Sequence, residues 1–230
     1  MNAKLTTLLL MLLMGMSVNA QEYTCEQLQE DIKSWNTLKN SNNTKWANAI
    51  KDKGMYKTNT DGSFEYVYIF QTTDSVDIPT LRKIGFDFIE YVFNVNNATR
   101  ADMETNSPED GLIYKGMVTN VGEFVGLGEY NKVNANVHFD IRFKTNRIRF
   151  SVKIQEYQVL KYSSSTGAVV QNRMVYVKNC FPINPNSDHK KSYAMAFVNS
   201  NSSCLNFAHK YLEFLNKHVK ENQPTQIEDW

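Results

Sequence analysis

Apolar and polar residues alternate most strictly over two neighbouring stretches in the second half of the chain. Val137, Phe139, Ile141 and Phe143 take every second place around His138, Asp140 and Arg142. Past Lys144-Thr145-Asn146, Ile148, Phe150, Val152 and Ile154 do the same around Arg149, Ser151 and Lys153. A period of two puts one set on each face of a strand, so the pattern predicts a long β-hairpin with one face on a core and the other in water. Phe64 to Gln71 carries Phe64, Tyr66, Tyr68 and Phe70 on one side and Val67 and Ile69 on the other, which predicts a strand covered on both faces. The turn signal Asn59-Thr60-Asp61-Gly62 precedes it.

Helical spacing governs other segments. Leu81, Ile84, Phe88 and Val92, with Ile89 and Phe93 beside them, follow the start signal Asp77-Ile78-Pro79 and predict a helix as far as Asn94. Leu28, Ile32, Trp35 and Leu38 predict an earlier helix, opened by the capping pair Thr24 and Gln27, and Lys45 to Lys51 a short second one. After an acidic loop, Ala101 to Asp110, the pattern predicts a strand from Leu112 to Thr119, and a glycine-rich link, Gly122 to Gly128, then leads into the hairpin. Beyond the hairpin come a turn at Ser163 to Gly167, a strand near Arg173 to Lys178, and two helices, His189 to Asn199 and Ser203 to about Lys220. The order strand, helix, four strands, helix predicts an α+β fold, an antiparallel sheet with helices on one face, preceded by an N-terminal helix.

Four pieces of this pattern, Phe64-Glu65-Tyr66-Val67-Tyr68-Ile69-Phe70, the helix Leu81 to Asn94, Gly111-Leu112-Ile113-Tyr114-Lys115-Gly116 and the hairpin Phe139 to Ile154, together resemble an exported bacterial family. That family is a domain of unknown function with a TATA-binding-protein-like fold. The resemblance covers about Phe64 to Val177; it implies the fold and no activity.

The first residues change the setting. Lys4, the apolar run Leu8 to Met14 and the small-residue site Val18-Asn19-Ala20 form the three parts of a cleavable secretory signal, with the cut between Ala20 and Gln21. The apolar stretch Leu5 to Val18 is shorter than the roughly 20 residues a membrane span needs, no later segment is apolar enough to span, and Cys25 lies in no lipobox. The expected organisation is therefore 1–20 signal peptide, 21–62 N-terminal helical extension, 63–222 α+β domain and 223–230 tail, in a protein exported to the periplasm or beyond.

With 42% hydrophobic and 12% aromatic residues the chain reads as globular. Its 25 Lys and Arg face 24 Asp and Glu, and Lys4 leaves with the signal, so the mature chain is formally neutral and nucleic-acid binding is not expected. Three cysteines, Cys25, Cys180 and Cys204, allow one internal bridge. Cys180 to Cys204 is the favoured pair, tying the end of the last strand to the last helix and stabilising by about 3 to 4 kcal/mol through chain entropy; buried thiols are the alternative.

Catalytic chemistry finds no local signature. Gly122, Gly126 and Gly128 lead into a strand rather than the helix a phosphate loop requires. Asp102, Glu104 and Asn106 match the first positions of a calcium loop, but Ser107 and Ile113 stand where Gly and Glu are needed. His138, His189, His209 and His218 have no motif partner, and no cofactor is expected. What stands out is a basic strip, Arg142, Lys144, Arg147, Arg149 and Lys153, interrupted only by Asp140. Either it meets an acidic glycan, a headgroup or a partner's carboxylates, with Arg142, Arg149 and Lys153 at its centre, or it solubilises an open sheet face. Two functional classes follow: a non-catalytic binding or structural module of the bacterial envelope, with an envelope protein or glycan as partner, and a small hydrolase whose site is assembled from residues distant in sequence.

Overall fold

The computed structural model describes residues 22–23, 28–30, 33, 59–72, 76–95, 97–126, 129–145, 147–181, 183–184, 186 and 189–221. In chain order they form β1 (Glu22–Tyr23), β2 (Phe64–Gln71), α1 (Ile78–Phe93), α2 (Asn97–Asn106), β3 (Gly111–Gly126), β4 (Glu129–Lys144), β5 (Arg147–Ser163), β6 (Val169–Tyr176), the single turn α3 (Val177–Cys180) and α4 (Lys190–Glu221). Residues 28–30 and 33 are helical, inside the helix expected from Thr24. The signal segment with its Ala20/Gln21 cleavage point, Cys25, and the helix expected at Lys45 to Lys51 lie outside the described residues.

The β4–β5 hairpin is the centre of the sheet. Its register runs from Lys144↔Arg147 at the turn to Glu129↔Ser163 at the far end. β3 pairs antiparallel with β4 on one side. On the other side β5 is long enough to serve two strands in line, β2 along Arg147 to Ile154 and β6 along Glu156 to Tyr162. These five strands are antiparallel, and β1 adds to β2 in parallel at Val67 and Tyr68.

The inner face carries the residues the alternation marked: Phe139, Ile141, Phe143, Ile148, Phe150, Val152 and Ile154 are buried, beside Phe64, Tyr66, Tyr68 and Phe70 of β2. A bulge opposite the Asn136/Val137 step shifts the parity of β5, so that Tyr157 and Val159 continue the buried face. α1 and α4 pack on this face. α1 starts as its sequence dictates, Asp77 accepting the Thr80 N–H at 2.8 Å, and ends where Asn94 turns left-handed at φ 49°. Tyr211 of α4 meets the rings of Phe88 and Phe150 at 5.0 Å each, which locks helix, helix and sheet into one aromatic cluster. Leu28 is part of the same core.

Four expectations are corrected. The acidic loop is largely helix: α2 covers Asn97–Asn106, anchored by buried Met103 and by Arg100, which bridges Glu90 at 2.7 Å and Glu104 at 3.3 Å. The glycine-rich link is mostly strand, because β3 runs on to Gly126 through a bulge between Val118 and Gly122. There Asn120 takes φ 58° and gives its N–H to Asn134 Oδ1 at 2.8 Å. β6 begins at Val169, immediately after the expected turn, and ends at Tyr176 where α3 takes over.

The two C-terminal helices are one. Asn199, Ser200, Asn201 and Ser203 read as a break because such side chains compete with the helical backbone. In α4 their side chains have tertiary or local partners instead. Asn199 donates to the Val121 carbonyl at 2.9 Å, Ser200 pairs with the Tyr157 hydroxyl at 2.8 Å, and Asn201 accepts from the Tyr66 hydroxyl at 2.6 Å while donating to the Phe197 carbonyl at 2.7 Å. Ser203 bonds back to the Asn199 carbonyl at 2.8 Å.

Candidate functional site

The outer face of the sheet holds the polar set of the hairpin, and cross-strand register arranges it in rows. One row reads Lys115, His138, Lys153, Glu65 across β3, β4, β5 and β2. The next reads Ile113, Asp140, Ser151, Val67, and the third Gly111, Arg142, Arg149, Ile69. Lys144, Arg147 and Gln71 end the series beside the hairpin turn.

Like charges directly opposite on a sheet repel, and Arg142 faces Arg149. Carboxylates relieve this, Asp140 from the same strand and Asp110 and Glu65 from other segments. Arg142 bonds Asp140 at 2.5 Å and approaches Asp110 at 3.7 Å; Arg149 reaches Glu65 at 3.6 Å and Asp140 at 4.0 Å. Lys153 bonds Asp61 at 2.7 Å, and that bond, with help from Ser63, holds the Asp61 carboxyl down at about 2. Glu65 also accepts from the buried Ser151 hydroxyl and from Asn59. The strip that looked bare in sequence is a ladder of ion pairs, so Arg142, Arg149 and Lys153 are positioned groups rather than unpaired cations.

Two clefts open on this face. At the hairpin end, Arg142, Lys144, Arg147 and Arg149 line a cleft of about 350 Å³ with Ile69, and Asp110 is the acid among its lining residues. Further up, Lys115, His138, Lys153, Asn136, Gln155 and Glu156 line one of about 570 Å³, with Gly116, Met117 and Val137. The Nε2 atom of His138 is buried and has no hydrogen-bond partner among the described residues. Burial, followed by Lys115 and Lys153, keeps the pKa of His138 below its ordinary value, against the opposite pull of Asp140 and Glu65.

The arrangement is suited to binding anions more than to bond cleavage. Ser151 has Glu65 at its hydroxyl and His138 two residues away on the paired strand, which superficially assembles a hydrolase set. Ser151 is only 2% exposed, however, and no hydrogen bond joins it to His138. A nucleophile needs both access and a base within reach. The other histidines stand apart: His209 pairs with Glu213 on its own helix at 3.0 Å, and His218 packs on Phe214.

Asp102, Glu104 and Asn106 lie on α2, where Asn106 donates to Asp102 and Arg100 to Glu104, and no cluster of three or more His, Cys, Asp or Glu fit to hold a metal occurs among the described residues. Cys180 and Cys204 are free, buried thiols rather than the expected bridge. Cys180 sits over the Tyr176 carbonyl at 3.6 Å, and burial pushes its thiol up to about 12; burial likewise raises Cys204. Neither is poised as a thiolate nucleophile.

Comparison with protein-family models, with curated proteins and with solved structures finds no match for this chain. The site therefore has to be read from its own residues. Sequence analysis missed Lys115, Glu65, Asp61 and Asp110, which come from segments far from the hairpin. A partial signal was available: counting the hairpin outward from Lys144↔Arg147 sets His138 opposite Lys153 and Arg142 opposite Arg149.

Proposed function

We propose that the protein is a non-catalytic binding module of the bacterial envelope, exported by its N-terminal signal, which captures a carboxylate-rich envelope glycan on the outer face of its sheet. The observation that carries this reading is the convergence of Arg142, Lys144, Arg147 and Arg149 on one cleft with a single lining acid, Asp110. Guanidinium forks prearranged by Asp140 and Glu65 lose little side-chain freedom when a carboxylate arrives, and they bind it bidentately. The formal neutrality of the mature chain goes with a local rather than a general anion site, and argues against nucleic acid. A TATA-binding-protein-like reading of the fold, within the exported family it resembles, is supported by the order β2, α1 and α2, β3 to β6, then α3 and α4.

The test uses chain beginning at Gln21 on resin coupled with polygalacturonate, against neutral dextran resin. Retention on the acidic resin alone, falling at least about tenfold in the Arg142→Ser, Arg149→Ser double variant, is expected from the loss of charged hydrogen bonds. Equal retention of the variant removes the cleft from the mechanism. Turnover of glycan, peptide or ester substrates by the purified protein would replace the binding reading with the hydrolase one.

A further inference from the structure

The larger cleft is chemically different from the one at the hairpin end. Its floor is the row Lys115, His138, Lys153, in which a histidine stands between two lysines on adjacent strands. Lys153 is shared with Asp61 at 2.7 Å, whereas no described residue pairs with Lys115, which is exposed. His138 contributes a buried Nε2 with no partner. A buried polar atom left unbonded costs free energy until something supplies the bond. Asn136, Gln155 and Glu156 add amide and carboxylate groups at the rim, able to donate to and accept from hydroxyls, and Met117 adds an exposed apolar surface. The volume, about 570 Å³, is that of a small-molecule site and much larger than a bare ion needs.

We infer that this cleft binds an acidic sugar, its carboxylate held between Lys115 and Lys153 over His138 and its hydroxyls by Asn136, Gln155 and Glu156. The inference rests on the binding reading above and extends it: the cleft is a monosaccharide subsite beside the cationic cleft that holds the polymer. The two lie on one face of β4, and the four steps from His138 to Arg142 span about 13 Å of strand.

The site also couples to protons. The groups facing His138 are Lys115 from β3, Lys153 from β5, Asp140 on its own strand and Glu65 from β2. In the free protein burial and the lysines favour neutral imidazole. A bound carboxylate reverses the local potential and favours the protonated imidazole. Binding therefore takes up a fraction of a proton, and it strengthens as pH falls through the range in which His138 protonates.

The experiment is calorimetric titration of D-glucuronate into the chain from Gln21 at pH 6.5, in two buffers of different ionisation enthalpy, with D-glucose and inorganic phosphate as comparison ligands. Glucuronate is expected to bind with proton uptake, glucose not to bind, and phosphate to bind at least about tenfold more weakly for lack of the hydroxyl contacts. Lys115→Ala, an exposed position, weakens glucuronate about tenfold without changing the melting temperature. His138→Gln abolishes proton uptake. No glucuronate binding by the unmodified chain, or phosphate binding as tight as glucuronate, overturns the inference even where polygalacturonate retention persists. Loss of retention with glucuronate binding preserved overturns the polymer reading instead.

Discussion

Two buried tyrosines of similar surroundings have opposite accounts of their hydroxyls. Tyr66 gives its hydroxyl to Asn201 at 2.6 Å, and both residues are within 2% of complete burial. Tyr211 is fully buried as well, but its hydroxyl has no partner among the described residues, and burial raises its pKa. Removing one partner of a buried bond leaves the other desolvated and unpaired, whereas removing an unbonded hydroxyl leaves nothing behind. Tyr66→Phe should therefore lower unfolding free energy by about 1 to 3 kcal/mol in urea denaturation, and Tyr211→Phe should leave it unchanged or raised. Equal losses in the two variants would show that ring packing, not the Asn201 bond, sets the value. None of this was legible in the sequence, where Tyr66 is one of the apolar-pattern positions of its strand and Asn201 belongs to a polar run read as a helix break. Side-chain partners 135 residues apart leave no periodic trace.

β3 illustrates how much a pattern can say about an element and where it stops. Its first half has the apolar places of a strand, and the hairpin it joins was plain from strict alternation. The second half was read as a link because Gly122 and Gly126 are poor strand residues, which is true of their propensity and misleading about their place. Gly122 is needed for packing: a Cβ there would meet the Ser192 carbonyl oxygen at 2.5 Å and the Ala196 Cβ at 2.9 Å, both on α4. Helix and strand approach so closely that only hydrogen fits between them. Gly122→Ala must push α4 off β3, an overpacking cost of about 1 to 3 kcal/mol. A lowered urea midpoint with unchanged far-ultraviolet dichroism is the expected result, and an unshifted midpoint would mean that the helix yields without cost. α2 was missed for the complementary reason. Its residues Asn97–Asn106 have few apolar side chains, and it is held by Met103 and the Arg100 ion pairs rather than by a stripe a period search detects.

Among the described residues α1 and α4 seal the inner face of the sheet, and the charged rows occupy the outer one, with Val67 and Ser151 buried between them. No helix among the described residues is long and apolar enough to cross a membrane. The export proposed above rests on residues 1–20, and mass spectrometry of protein recovered outside the cytoplasm should find a mature chain beginning at Gln21. A first residue elsewhere, or retention of Met1, would refute the cleavage site. The polar seam of α4 has a consequence in time. Val121 of β3, Tyr157 of β5 and Tyr66 of β2 each find a partner between Asn199 and Asn201, so one short stretch of helix reads the relative positions of three strands at once. Sliding α4 by a turn would break all three bonds together, which makes its docking all or none. That stretch is synthesised after every strand it inspects. Until it emerges, Phe139 and Phe150 are covered by Phe93 and Phe88 of α1 without α4, and Tyr66 lacks the Asn201 partner of its hydroxyl. A chain whose last helix is still inside the ribosome therefore lacks all three of the bonds that tie β2, β3 and β5 to one helix.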